Sequence, residues 1–176
     1  MGGAALDPVA VTVARDEIRQ LAFRYARCVD SRDLDGIVGL FVEDVYAGHW
    51  GEGRPGLRRF YDHTLRGFRR SVHFVGNHWI ELDDDDHAHG AVYCKADHET
   101  ADHWFVAMLE YNDTYERHDD RWYFRQRKLR SWYQDVVDLE GATQTRSLTD
   151  AKRDPTQYWD TWTRFWATEP EPIPTD

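Results

Sequence analysis

The sequence predicts an α+β domain, in which helices pack against one face of a curved antiparallel sheet. Two observations predict it. In the first 68 residues, apolar side chains recur at three- and four-residue steps, as they do on one face of a helix. From Ser71 to Tyr133 they alternate, as they do on one face of a strand, and short polar turns separate four such runs. Helices followed by an antiparallel meander are typical of this fold class.

Three helices are predicted before the sheet. The first ends near Asp30 and carries one apolar stripe, formed by Ile18, Leu21, Ala22, Tyr25, Cys28 and Val29. A short second helix follows, with Ser31 or Asp33 as its N-cap. Residues 45–50 are aromatic and end at a glycine, which predicts a first strand. The third helix repeats apolar side chains again, at Leu57, Phe60, Tyr61, Leu65 and Phe68.

The four long strands are predicted at residues 71–82, 88–98, 104–117 and 121–133. Alternation places His73 and Asn77 on one face of the first strand, and Cys94 and His98 on one face of the second. After them, an aromatic stripe from Tyr158 to Trp166 predicts a C-terminal helix. We expect this stripe either to cover the open end of the sheet or to pack on a neighbouring subunit.

These elements form one domain. We expect a loose N-terminus at residues 1–11, the α+β domain at 12–135, a C-terminal extension with a helix at 136–168, and a disordered tail at 169–176. No internal repeat or second-domain boundary is visible.

Composition excludes several function classes. The 176 residues carry a net charge of −10, from 32 acidic and 22 basic residues, which argues against a nucleic-acid partner. No stretch reaches the roughly 20 apolar residues of a membrane span, and no signal peptide is visible. Two distant cysteines, Cys28 and Cys94, are expected to be free thiols. We therefore expect a cytoplasmic protein without membrane partners.

Polar chemistry is predicted where the first helix meets the sheet. A carboxylate beside an apolar helix face, such as Asp30, must be paired or hydrogen-bonded. It can hold an imidazole of the inward-facing His73 or His98, and imidazoles suit general-base work near neutral pH. Tyr25 or an arginine of the last strand could then bind an oxyanion. In the plainer interpretation, Asp30 starts a turn and the histidines are core residues.

Two further signals are weaker. His87 and His89 lie beside a run of four aspartates, but without more ligands at defined spacing we favour a solvated turn over a metal site. Cys94 is more plausible as a small buried thiol than as a nucleophile.

Residues 16–133 resemble the SnoaL-like branch of the nuclear transport factor 2-like superfamily of cone-shaped α+β barrels. The resemblance rests on the segments RYARCVDSRDLDGIVGLF, VHFVGNHWIEL and EYNDTYERHDDRWYFRQRKLRSW. It implies a cone-shaped barrel with the N-terminal helices on the concave face of the sheet. One departure is Asp119-Asp120, at a turn that is often Asp-Gly in the family.

Within this group, the chain is most similar to the cofactor-free Asp–His lyases: bile acid 7α-dehydratase, scytalone dehydratase and hexachlorocyclohexane dehydrochlorinase. The resemblance implies that Asp30 and His73 form the catalytic pair. It adds Tyr25, His98 and a pocket arginine, which is Arg130, or Arg127 if the strand carries a bulge. No cofactor and no metal are expected.

A hydrophobic cyclic substrate, steroid-like or similar to an aromatic polyketide, is expected in a pocket lined by Tyr46, Asn77, Cys94, Arg127 and Trp132. The first hypothesis for the function is a dehydratase-type lyase. The second is an isomerase or polyketide cyclase that uses the same pair. The third is a non-catalytic ligand-binding or assembly subunit. A homodimer or homotrimer is expected in each case.

Overall fold

The computed structural model describes residues 7–138 and 155–174. Three helices precede the sheet, α1 (Pro8–Asp30), α2 (Leu34–Gly39) and α3 (Gly53–Arg66). Four strands follow, and α4 comes after them: β1 (Arg70–Leu82), β2 (His87–Glu99), β3 (His103–His118), β4 (Arg121–Asp138) and α4 (Asp160–Ala167). The predicted α+β class, with three helices before four strands, is confirmed.

The strands form one curved, open antiparallel sheet in the order β1-β2-β3-β4. Helix α1 packs on its inner face, where it contacts β1 and β4. Directly opposite residues of neighbouring strands share a face, so the pairing defines rows across that inner surface. One row contains His73, Ala96, Ala107 and Gln134. This surface and the helices enclose the hydrophobic core.

Helix α1 begins earlier than the sequence suggested. Asp7 is its N-cap and accepts a hydrogen bond of 3.3 Å from the backbone N–H of Val9, and Pro8 occupies the first helical position. The prediction of a loose segment up to residue 11 is therefore wrong from Pro8 onward, because the cap outweighs the low helix propensity of the β-branched residues that follow. Residues 1–6 lie outside the described part.

A bulge in β1 changes which residues face inward. The pairing with β2 shifts between Val75 and His78. Asn77 is consequently exposed, while His78 pairs with the buried Val92 of the inner surface. The prediction that Asn77 shares a face with His73 is wrong, because an extra residue reverses the alternation beyond it.

Two further bulges interrupt β4. Its pairing with β3 shifts between Thr114 and Tyr115, and again between Met108 and Leu109. Between these points Arg127 lies opposite the fully buried Asp113, whereas Arg130 lies opposite Glu110 and is exposed. The bulges thus decide which arginine enters the interior.

Residues 45–50 do not form the predicted strand. Gly48–Trp50 is a single 3₁₀ turn, and Tyr46 makes only an isolated bridge to Glu52. Gly48 and Gly51 have φ values of 62° and 108°, left-handed conformations that turn the chain too sharply for a strand.

Helix α4 packs on its own chain, at the end of α1 and on α3. Three arginine–aromatic contacts hold it: Arg27 over Trp159 at 4.4 Å, Arg32 over Trp162 at 4.9 Å and Arg66 over Phe165 at 4.5 Å. Beyond the helix, the backbone N–H of Glu171 donates to Asp62 at 2.7 Å, so the described part of the tail is anchored.

None of the helices in the described ranges is long and apolar enough to cross a membrane.

Candidate active site

The end of α1 and the start of β1 bring Asp30 and His73 together. His73 Nδ1 lies 2.7 Å from Asp30 Oδ1, and the backbone N–H of His73 donates to Oδ2 at 3.0 Å. The side chain of His73 is 5% exposed, and that of Asp30 is 14% exposed. Because a carboxylate can only accept, Nδ1 carries the proton of the neutral ring and Nε2 keeps a lone pair. Oδ2 of Asp30 is therefore held by the backbone of His73, and Oδ1 fixes the orientation of the imidazole.

His98 lies beside this pair. The strand register produces this position, because His98 of β2 pairs with Ser71 of β1, two residues before His73. The two imidazoles meet edge to face with their centroids 5.3 Å apart, and Phe68 stacks on His98 at 4.3 Å. Burial lowers the pKa of His98 to about 3, and the neighbouring His73 and Arg32 contribute further. His98 is consequently a neutral imidazole near neutral pH.

Tyr25 belongs to a neighbouring cluster deeper in the interior. Its hydroxyl accepts a hydrogen bond of 3.1 Å from Tyr61, and its ring contacts those of Tyr61, Tyr111 and Phe124. Burial raises the pKa of Tyr25, so the phenol stays protonated. Tyr25 lies on the buried face of α1, five residues before Asp30, and makes no hydrogen bond or ring contact with His73 among the described residues.

Arg127 occupies the centre of that cluster. Its guanidinium lies 4.3 Å from the ring centroids of Tyr25, Tyr111 and Phe124 and donates to Asp113 through two hydrogen bonds, of 3.0 and 2.7 Å. Its side chain is 5% exposed and that of Asp113 is 0% exposed. Of the two predicted arginines, Arg127 is therefore the internal one. Arg130 lies on the outer surface.

Sequence reasoning missed the polar residues of β3 and one of β1. Tyr115 donates to Asp113 at 3.0 Å, and the Tyr115 hydroxyl lies 3.0 Å from His78 Nε2. Since the Tyr115 proton is directed at Asp113, His78 Nε2 is the donor. Burial lowers the pKa of His78 to about 4. The alternation of Tyr111, Asp113 and Tyr115 along β3 is a period-two signal that could have identified the chain of hydrogen bonds.

Three predicted pocket residues lie on the outside. Tyr46 is 80% exposed, Trp132 is 64% exposed and Asn77 is exposed at the bulge of β1. Trp132 contacts the outward-facing Tyr93 instead, with ring centroids 6.3 Å apart. Their predicted role as pocket residues is not supported by these positions.

Cys94 faces inward and is 1% exposed. Burial raises its pKa to about 12, so it is a thiol and a poor nucleophile at neutral pH.

The acidic turn between β1 and β2 consists of separate surface pairs. His87 Nδ1 lies 2.9 Å from Asp84, and His89 Nδ1 lies 3.0 Å from Asp83. Within residues 7–138 and 155–174, no group of three or more histidine, cysteine or acidic side chains could hold a metal ion.

Solved structures with the same fold include three of particular interest. A provisionally assigned scytalone dehydratase from Novosphingobium aromaticivorans is 23% identical, with a TM-score of 0.66 over 73% of this chain and 91% of that chain. A LinA-type3 hexachlorocyclohexane dehydrochlorinase from Novosphingobium barchaimii is 18% identical, with a TM-score of 0.68 over 77% and 97%. A variant of Rv3472, a protein of unknown function from Mycobacterium tuberculosis, is 28% identical, with a TM-score of 0.62 over 73% and 78%.

A comparison with curated protein sequences finds no match. The profile of the SnoaL-like domain family, in contrast, matches residues 11–128, which include most of α1, all of α2 and α3 and both members of the Asp30–His73 pair. The resemblance stated from the sequence is thereby confirmed, and the chain belongs to the SnoaL-like domain family.

Proposed function

We propose that the chain is a cofactor-independent lyase of the dehydratase type, in which His73 removes a proton from carbon. The observation that supports this proposal is the Asp30–His73 pair, because its 2.7 Å hydrogen bond leaves Nε2 as the basic nitrogen. Nε2 makes no hydrogen bond to any described residue, and the surrounding protein does not enclose it completely. A positioned imidazole base typically accelerates proton transfer about 10²–10⁴-fold.

In the proposed step, Nε2 takes the proton from a carbon next to a carbonyl, and the electron pair of the broken C–H bond forms an enolate. The enolate expels hydroxide from the neighbouring carbon as the C=C bond forms. Hydroxide leaves as water with the proton that Nε2 returns. The products are an unsaturated ketone and one water molecule, and His73 regains its starting state.

Tyr25 is the proposed donor to the enolate oxygen. Tyr61 donates to Tyr25 Oη, and within the described ranges the Tyr25 proton itself has no acceptor. The guanidinium of Arg127 lies 4.3 Å from the Tyr25 ring and stabilises negative charge nearby. Such preorganised donors lower the barrier because they are already aligned when charge develops.

The proposed substrate is a hydrophobic ring compound that binds on the inner surface beside His73. The next two positions in its row, Ala96 and Ala107, carry only methyl groups. Leu129 and Val136 of β4 also belong to inner rows and are 56% and 55% exposed. This combination of small and open apolar positions favours a steroid-like or aromatic polyketide-like substrate.

The test is turnover of a panel of polycyclic hydroxy-ketones, steroids and aryl polyketides by wild type and His73→Ala. We expect wild type to release water from at least one compound, and His73→Ala to lose at least about 100-fold in kcat while its Kd for that compound changes little. Incorporation of deuterium from D₂O reports proton abstraction independently of elimination.

His89→Ala is the matched control, because His89 also pairs with an aspartate but lies on the exposed end of the sheet. It should keep wild-type turnover. A product of unchanged mass would replace elimination with isomerisation or cyclisation through the same pair. If wild type and His73→Ala bind a compound equally, and wild type shows neither turnover nor deuterium exchange, a ligand-binding module would be supported instead.

We also propose that the outer face of the sheet is buried between copies of this chain. Val72, Phe74 and Trp132 are exposed there by 55%, 73% and 64%, and apolar patches of this kind commonly mark interfaces. We expect wild type to be a dimer or trimer in sedimentation-velocity analysis and Phe74→Glu to be a monomer. A monomeric wild type would contradict this prediction.

A further inference from the structure

A second series of hydrogen bonds connects the turn after α1 with His98. Arg32 lies in this turn with a backbone φ of 60° and is 1% exposed. Its guanidinium donates to the carbonyl oxygens of Val29 at 2.8 Å and Phe68 at 2.9 Å, and to Ser71 Oγ at 3.2 Å. Burial lowers the pKa of Arg32 to about 10, which leaves it charged at neutral pH. One buried cation thus joins the ends of α1 and α3 to the start of β1.

The proton of Ser71 is assigned by its partners. A hydroxyl offers one proton and two lone pairs, and an arginine can only donate. Arg32 therefore occupies a lone pair of Ser71 Oγ, which also lies 3.1 Å from His98 Nδ1. In the part of the chain that the structure describes, Ser71 Oγ has no third partner. Its proton is satisfied when Nδ1 accepts it, and the ring proton of His98 then resides on Nε2.

The surroundings of the ring oppose a second proton. Phe68 stacks on His98 at 4.3 Å, and the ring centroid of Phe105 lies 6.1 Å away. The titratable or charged groups that face it are His73 at its edge and Arg32 beyond Ser71, and both oppose a positive charge on His98. Asp30, the carboxylate of the pair, is already engaged by His73.

We infer that Arg32 and Ser71 are positioning residues that hold His98 as a neutral imidazole with its proton on Nε2, beside the base His73. The two imidazoles then have opposite capacities, since His73 presents a lone pair and His98 presents an N–H. In the elimination, a role that rests on the proposed function, His98 donates a hydrogen bond to the departing oxygen and does not act as a second base.

The C-terminal helix completes this arrangement. The Trp162 ring lies 4.9 Å from the Arg32 guanidinium carbon, and Thr161 Oγ donates to the carbonyl oxygen of Ser31 at 2.8 Å. These contacts cover the cation and fix the turn that carries it. The hydrogen-bonded chain therefore runs from the covered Arg32 through Ser71 to His98.

The test is a long-range ¹H–¹⁵N correlation spectrum of protein labelled at its histidine rings, recorded between pH 5 and pH 8. His98→Gln identifies the resonances of His98. We expect wild-type His98 to show an unprotonated Nδ1 and a protonated Nε2 throughout this range. Protonation of His98 Nδ1, or titration of His98 near pH 6.5, would overturn the inference.

Two variants of Ser71 separate positioning from folding. In Ser71→Ala, the ratio of the two His98 tautomers should shift about fivefold to tenfold toward the Nδ1–H form, the change expected when one hydrogen bond is lost. Ser71→Thr keeps a hydroxyl and should restore the wild-type ratio. Ser131→Ala, an exposed serine of the same sheet, should change nothing. An unchanged ratio in Ser71→Ala would refute the role of Ser71.

Arg32→Met tests the cation in the same spectra. Loss of the donor to Ser71 frees its hydroxyl to reorient, so the ratio should again move toward the Nδ1–H form. If Arg32→Met does not fold, the Ser71 variants still decide the inference. These measurements need no substrate, so an absence of lyase activity would contradict the proposed function without affecting the tautomer result.

Discussion

Asp30→Asn should lower kcat by about 10²–10⁴-fold while leaving substrate binding nearly unchanged. Asp30 accepts two hydrogen bonds, one from the backbone N–H of His73 and one from its ring Nδ1. An asparagine side chain has one acceptor oxygen and one donor nitrogen. If the oxygen keeps the hydrogen bond to the backbone N–H, the side-chain NH₂ faces Nδ1. It then donates to Nδ1, and the ring proton must lie on Nε2. His73 would then remain in place without its basic lone pair.

The measurement is steady-state kinetics on a substrate found with the panel, together with deuterium exchange and a direct binding assay. Asp16→Asn is the matched control, because Asp16 is an exposed aspartate of the same helix. It should behave as wild type. A normal kcat in Asp30→Asn would show that the carboxylate does not orient the base.

Asp113→Ala should lower the free energy of unfolding by about 3–5 kcal/mol. The substitution leaves the guanidinium of Arg127 charged, without its partner, among three aromatic rings. It also removes the acceptor of the Tyr115 hydroxyl. A buried charge that loses its partner cannot recover its hydration, which is why this change costs more than most substitutions.

Urea denaturation followed by tryptophan fluorescence measures this loss. The double variant Asp113→Ala/Arg127→Met should recover most of it, because no uncompensated charge remains. Asp44→Asn removes a carboxylate that pairs with Arg125 at the exposed surface and should have little effect. If the single and double variants are equally unstable, the ion pair is not the source of the effect.

The helices and the general course of the strands follow from periodicity, which a single sequence shows directly. A histidine partner for Asp30 was also predicted, because an ionisable group beside an apolar helix face needs a partner, but the residues alone left His73 and His98 both open. The resemblance to the Asp–His lyases selected His73. The structure places the two side chains in contact, while their catalytic role stays a prediction.

Local shifts in strand pairing were not predictable in the same way. One additional residue in β1 exchanges Asn77 for His78 on the inner surface, and the bulges of β4 admit Arg127 and leave Arg130 outside. Alternation is a relation between neighbours along one strand. A bulge depends instead on the partner strand, so its position cannot be obtained from the period alone.

Glycine conformation explains the error at residues 45–50. The aromatic and β-branched composition favours a strand, but Gly48 and Gly51 adopt left-handed φ values. Composition scales treat glycine as a weak strand former and do not indicate the sign of φ. The 3₁₀ turn at Gly48–Trp50 is the result.

The contacts of α4 also bear on how this chain can be shortened for experiments. The family match ends at residue 128, inside β4, and a boundary chosen just after Asp138, the last residue of β4, would retain the whole sheet but discard α4. Arg27, Arg32 and Arg66 would each lose an aromatic partner. A protein truncated in this way would keep the recognisable domain and both members of the Asp30–His73 pair. The guanidinium of Arg32, which reaches His98 through Ser71, would however be open to water.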